Sequence, residues 1–196
     1  MQRTVFASNN AGKVAEVDQL LRPTGYTVIP QSDYLVPEAE ETGLTFVENA
    51  LIKARNACAH TSLPAIADDS GLEVDALQGE PGIYSSRYAG EHGNDAANNS
   101  LLLAELSGVP EHDRTARFRC VMVYLRHAED PAPIICQGAW EGRILTAERG
   151  DGGFGYDPVF WVPGEQSSAA ELPAETKNRL SHRGQALTAL LAALRG

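Results

Sequence analysis

The stretch Thr115–Leu125 limits the fold more than any other. Phe118, Cys120, Met122 and Tyr124 recur on one side of an extended chain. Val121, Val123 and Leu125 occupy the other, so the far half of this strand is apolar on both faces, as in a sheet covered on both sides. A loop at His127–Pro133 leads to a second strand at Ile134–Ile144, which is expected to return as an antiparallel hairpin and make the sheet mixed. Further strands are expected at Arg3–Ala7, Tyr26–Pro30, Leu63–Ala67, Leu72–Leu77 and Val159–Val162.

Helical periodicity fills the gaps. Val14, Val17, Leu20 and Leu21 share one face of a helix that Pro23 and Gly25 end. Thr45-Phe46-Val47-Glu48 fits a capping box that opens a helix reaching about Ala59. A third helix runs from Asn94 or Asp95 to Leu106. The last, capped by Ser181, buries Leu187, Leu190, Leu191 and Leu194. A chain of 196 residues with these elements suits a single α/β domain over 1–196, or one domain with a lobe.

Charge and cysteine usage exclude several classes. The net charge is −10 and no Lys/Arg block occurs, so non-specific nucleic-acid binding is not expected. Cys58, Cys120 and Cys136 form no C-x-x-C pair, which argues against a zinc site or a disulfide framework. No signal peptide and no membrane-spanning run is apparent, and the expected setting is cytoplasmic.

The chemistry gathers around Ala65-Ile66-Ala67-Asp68-Asp69-Ser70-Gly71-Leu72. The apolar run reads as a short buried strand stopped by a polar turn, since Asp, Ser and Gly are common turn formers. Two carboxylates at a strand end also stand where open α/β sheets hold ligands. Neighbouring like charges need a cation or a shared proton. Ser8-Asn9-Asn10-Ala11-Gly12-Lys13 joins the first strand to its helix and sets Lys13 at a helix N-terminus, where an anion is favoured. It is not a Walker A loop, because Ala7 and Val14 break that pattern.

Other cations and flexible backbone complete the set. Lys53 lies on the same helical stripe as Phe46, Ala50, Ala54 and Ala57, either reaching water along its stem or crossing to a phosphate. Glu38, Glu40 and Glu41 form an acidic loop. Arg87 lies between two tyrosines, placed to hold a phosphate or stack on a ring. Gly150–Pro158 is glycine-rich around Phe154 and Tyr156, so its backbone can approach a flat ligand. His182 and Arg183 put positive charge in the first turn of the last helix. Paired acids with scattered cations suit Mg²⁺-assisted attack on a polyphosphate.

Five motifs then occur in order. They are Ser8-Asn9-Asn10-x-Gly12-Lys13, Thr45-Phe46-x-Glu48-Asn49-Ala50-x-x-Lys53-Ala54, Asp68-Asp69-Ser70-Gly71-Leu72, Gly153-Phe154-Gly155-Tyr156-Asp157-Pro158 and Ser181-His182-Arg183-Gly184. The series, spanning Val5 to Leu194, resembles the inosine/xanthosine triphosphate pyrophosphatase family, the bacterial dITP/XTP pyrophosphatases. That resemblance implies a long twisted mixed sheet flanked by helices, two lobes with a central substrate cleft, and a homodimer. It implies Mg²⁺-dependent hydrolysis of ITP, dITP and XTP to monophosphate and pyrophosphate. By position, Asp69 would be the general base and a Mg²⁺ ligand, with Asp68 supporting the metal and Glu40 or Glu41 adding a contact. Ser8, Asn9, Asn10, Ala11, Gly12, Lys13, Lys53, Ser70 and Lys177 would hold the triphosphate and sugar. Phe154, Gly155, Tyr156, Asp157, His182 and Arg183 would frame the base. Ser86, and Ser168-Ala169 before Ala170-Glu171-Leu172, depart from the family's usual residues without touching that chemistry.

Overall fold

A computed structural model describes residues 2–195. The strands are β1 (Gln2–Phe6), β2 (Tyr26–Pro30), β3 (Ala65–Val74), β4 (Thr115–Leu125), β5 (Ile134–Ile144), β6 (Phe160–Val162) and β7 (Ser167–Ser168). The helices are α1 (Ala11–Leu21), α2 (Phe46–Thr61), α3 (Asp95–Glu105), α4 (Ala174–Leu180) and α5 (His182–Arg195). The strands follow the order β2-β1-β3-β4-β5-β6-β7 in one sheet. β1 runs parallel to β2 and β3, whereas β6 pairs antiparallel with β5 and β7, so the sheet is mixed as expected.

The chain divides into two compact units. The first holds the chain up to Asp69, Cys120–Gly138 and the chain from Arg183 onward. The second holds Ser70–Arg119 and Ala139–His182. In the first unit, strand alternation feeds two apolar layers. Val5, Ala65, Ala67, Val121 and Val123 meet Ala50, Ala54 and Ala57 of α2. Phe6, Ile66, Cys120 and Met122 meet Val17 and Leu21 of α1 and Ala186, Leu187 and Leu190 of α5. The two-sided apolar character of the far half of β4 is thereby explained.

The second unit has its own core. Leu72 and Val74 of β3 pack with Leu102 and Leu106 from α3 and its cap, and with Phe118, Trp140, Tyr156 and Phe160. Phe118 lies 4.5 Å from Phe160 and 4.8 Å from the His182 ring, the latter nearly parallel. Arg114, buried, donates to the carbonyls of Leu106 at 2.7 Å and of Val109 and Leu145 at 3.0 Å each.

Two expectations shift. The polar turn expected after Ala67 is absent: β3 runs unbroken through Asp68-Asp69-Ser70-Gly71 to Val74, taking in the start of the separate strand expected at Leu72–Leu77. Asp75–Leu77 instead forms a 3₁₀ turn. The aspartates stay in the strand because both are buried against charged partners, which a solvent-facing turn would forfeit. At the other shift, Asp157–Val159 is a 3₁₀ turn and the strand begins only at Phe160.

Replacing Arg114 by Met removes three donors from buried carbonyls while leaving no charge behind. Hydrogen bonds from a charged group contribute about 1.5–3 kcal/mol each, and not all will be lost independently. A loss of about 2–4 kcal/mol is expected in urea unfolding, with an unchanged slope.

Candidate active site

Side chains alternate along a strand, so Asp68 and Asp69 project to opposite faces of β3. Asp68 shares the parity of Ile66 and the α1/α5 layer; Asp69 shares that of Ala67 and the α2 layer. Each therefore meets different cations. Asp68 Oδ2 lies 3.0 Å from Lys13 Nζ and 3.4 Å from Arg183 Nε. Arg183 Nη1 in turn reaches Glu16 Oε2 at 2.6 Å. On the α2 face, Asp69 Oδ1 lies 2.9 Å from Lys53 Nζ, which also pairs with Glu41 Oε1 at 2.8 Å. Asn49 Nδ2 donates to Asp69 Oδ2 at 3.3 Å, while its Oδ1 accepts the Gly43 N–H at 2.9 Å.

The neighbouring carboxylates are driven apart in acidity. Burial opposes ionisation of Asp68, but Lys13, Arg183 and Lys53 together outweigh it and hold its pKa well below the usual carboxylate range. For Asp69 burial wins, with Glu41 adding to it, so its pKa is raised despite Lys53. Lys53 is pushed up to about 12: burial works against its charge, and Asp69, Asp68 and Glu41 more than compensate. The Lys53 ammonium turns to these carboxylates rather than to water, with only 15% of its side chain exposed.

The start of α1 positions Lys13. Asn10 caps the helix by accepting the Lys13 N–H at 3.0 Å, and Ser8 Oγ accepts the Asn10 N–H at 3.2 Å. Asn9 Nδ2 donates to Glu38 Oε1 at 2.8 Å. Ala11 and Gly12 form the first helical turn, whose N–H groups lack intrahelical acceptors by geometry. Thr45 caps α2 as expected, and Glu48 accepts from the Thr45 hydroxyl at 2.8 Å and the Leu44 N–H at 2.9 Å.

A second group forms in the second unit. Asp157 Oδ2 accepts the Phe154 N–H at 2.9 Å and pairs with Lys177 Nζ at 2.7 Å. The Lys177 ammonium stands 4.5 Å from the centre of the Phe154 ring. Gly153 has φ +73°, and a Cβ there would lie 2.1 Å from Asp157 Oδ2, so only glycine fits. Tyr156 turns inward and donates its hydroxyl to the Ser85 carbonyl at 2.8 Å. His182, also buried, stacks on Phe118.

Several of the expected site residues have protein partners that the sequence did not indicate. Lys177, expected on the phosphates and sugar, stands with the aromatic loop. Arg183, expected at the base, is tied to Asp68 and Glu16. Glu41 joins Lys53, while Glu40 is exposed. Ser70 is half-buried, next to Asp69 in β3. Arg87 stacks on Tyr84 at 5.2 Å, one of its two expected uses. Glu16 and Asn49 were not singled out in the sequence. Asn49 did carry a signal, as a polar residue beside the alanine stripe of α2; Glu16 carried none, its partner lying 167 residues away.

A mixed sheet flanked by helices, with a buried acid pair, lysines brought in by two helices and a glycine-hinged aromatic loop, defines an α/β protein of the ITPase-like kind. Residues 4–193 match the model of the Ham1 family. The chain belongs to that family. It is 63% identical to a dITP/XTP pyrophosphatase of Thioalkalivibrio sulfidiphilus, covering 99% of both chains. It is 57% identical to one of Vibrio cholerae, covering 99% of this chain and 97% of that one. Among solved structures, a HAM1 protein of Coxiella burnetii superposes with a TM-score of 0.92 at 51% identity, over 100% of this chain and 99% of that chain.

Asp68 gives a stability test. Exchanging it for Asn leaves Lys13 and the buried Arg183 without their shared anion, at an expected cost of about 3–5 kcal/mol at pH 7. Because the folded pKa of Asp68 is depressed, its contribution is present above the ordinary value of 3.8 and lost as pH falls through the folded value. The gap between the native protein and Asp68→Asn in urea melts should therefore narrow below about pH 4.

Proposed function

We propose that the chain hydrolyses deaminated purine nucleoside triphosphates, ITP, dITP and XTP, to the monophosphate and pyrophosphate. The observation that carries this reading is the separation of Asp68 and Asp69 onto opposite faces of β3, where they meet different cations and differ in acidity. On the Asp68 face Lys13 and Arg183 pair with Asp68, and Arg183 also with Glu16. On the Asp69 face Lys53 pairs with both Asp69 and Glu41. Those two carboxylates are oxygen donors, which suit a hard divalent cation.

Mg²⁺ fits this donor set. Among the described residues no three acidic, imidazole or thiol side chains enclose an ion on their own. Mg²⁺ is ordinarily held by one or two carboxylates together with substrate phosphates. Asp69 and the Glu40–Glu41 segment would hold it, with Asp68 as support behind; bound there, the ion would draw charge from the phosphate oxygens. Asp69, whose raised pKa brings it closer to that of a useful base, accepts a proton from the attacking water. Lys13, Lys53, Ser70 and the Ser8–Gly12 backbone take the phosphates. Phe154 stacks the base, worth about 1–3 kcal/mol, with Gly155 to Asp157 shaping its support and Lys177 and His182 placed as donors to a 6-oxo group. A 6-amino group would leave such donors unpaired, which is the basis for rejecting adenine. Arg183, held by Asp68 and Glu16, would help frame the base. The same reading places the protein in the cytoplasm as a homodimer that clears altered nucleotides before they enter DNA or RNA; no described helix is long and apolar enough to cross a membrane.

Incubation with ITP and Mg²⁺ should release pyrophosphate; orthophosphate as the first product would refute the reading. Asp69→Asn should lower kcat by roughly 10²–10⁴-fold with the circular dichroism spectrum unchanged. Full activity in that variant would remove Asp69 from its role.

A further inference from the structure

Helix α3 grips the glycine loop through two side chains. Asp95, in its first turn, accepts the Gly155 N–H through Oδ2 at 2.7 Å. Asn99, one turn on, donates Nδ2 to the Gly155 carbonyl at 3.1 Å. Residues four apart share a helix face, so both peptide units around the Gly155 Cα are fixed to one rigid element. Those units join Phe154 to Tyr156. Their other ends are already anchored, Phe154 by its N–H to Asp157 and Tyr156 by its hydroxyl to Ser85. Gly155 itself sits at φ +63° with open space where a Cβ would lie, so crowding does not hold it. It is a swivel between two fixed neighbours, and α3 sets its angle.

Asn99 supplies a second observation. Its side chain is buried, yet Oδ1 has no hydrogen-bond partner among the described residues. A buried acceptor without a donor costs free energy. Leucine is also a better helix former than asparagine. What the amide gives in return for that cost is a fixed donor to the Gly155 carbonyl.

We propose that Asp95 and Asn99 are positioning residues that set the placement of the Phe154 ring, and with it the Lys177 ammonium above that ring, and thereby govern discrimination between 6-oxo and 6-amino purines. The proposal rests on the base-binding part of the function proposed above. Neither residue touches the substrate. Asp95 also begins α3, where its charge favours the helix, so the test must separate the two roles.

The variants are Asp95→Ala, Asp95→Asn and Asn99→Leu, compared with the native chain. The readouts are kcat/KM for ITP and ATP, the urea midpoint, and hydrogen exchange at the Gly155 amide. Asn99→Leu takes the donor from the Gly155 carbonyl, and its ITP-to-ATP ratio should fall roughly tenfold, chiefly through KM for ITP and by more than any change in its urea midpoint accounts for. Asp95→Ala should speed Gly155 exchange and lower the same ratio; Asp95→Asn, which keeps an acceptor oxygen, should restore both. An intact ratio in Asn99→Leu, or equal losses of kcat on both nucleotides with a lowered midpoint, would reduce α3 to a structural role. Native protein that fails to hydrolyse ITP would defeat the proposed function instead. The grip on the loop is then decided by exchange alone: unchanged protection of Gly155 in Asp95→Ala overturns it.

Discussion

The two-residue repeat of β3 governs the first unit. A strand that passes through Asp68-Asp69 must send one carboxylate to each face of the sheet. In a turn the pair would face water together and repel. Within β3 each enters a separate layer, where α1 and α5 supply Lys13 and Arg183 on one side and α2 supplies Lys53 on the other. The chemistry of the site thus follows from sheet geometry before any role is assigned.

That separation gives two neighbouring sequence positions opposite electrostatic states. Asp68, at 1% exposure, is affordable only because two cations meet it and Glu16 holds one of them in place. Breaking such a cluster is costly, so its members are tied to the stability of the fold. Asp69 shares Lys53 with Glu41 and keeps a raised pKa. A carboxylate in that state gains most from a further cation. The alanines of α2 contribute as well: Ala50, Ala54 and Ala57 are fully buried, which brings the helix close enough for Asn49 and Lys53 to reach β3.

Much of this was legible in the sequence, for identifiable reasons. The strands at Tyr26–Pro30, Thr115–Leu125 and Ile134–Ile144 fall where alternation and apolar runs put them. The cations at the starts of α1 and α5 were visible because a lysine or arginine in a first turn opposes the helix dipole. The continuity of β3 was not legible. Asp, Ser and Gly favour turns, and what overrides that preference is the interior place of β3 in the sheet and ion pairs to helices far away in sequence. The Glu16–Arg183 pair, formed across most of the chain, leaves no local trace. Periodicity put Lys53 on the inward face but could not name its partners.

The two groups of site residues also differ in how they tolerate disturbance. Around Asp68 and Asp69 the interactions are between whole charges, whose energy falls only as the inverse of distance. A shift of a few tenths of an ångström there changes little. The loop from Gly153 to Asp157 is held by backbone hydrogen bonds, which weaken steeply with angle, and by a glycine whose missing Cβ makes room for a carboxylate. A small rotation of one peptide there moves an aromatic ring and the ammonium above it. Under the proposed function, fine discrimination between similar bases would fall to the second group, where geometry is strict, and attraction for polyphosphate to the first, where charge suffices.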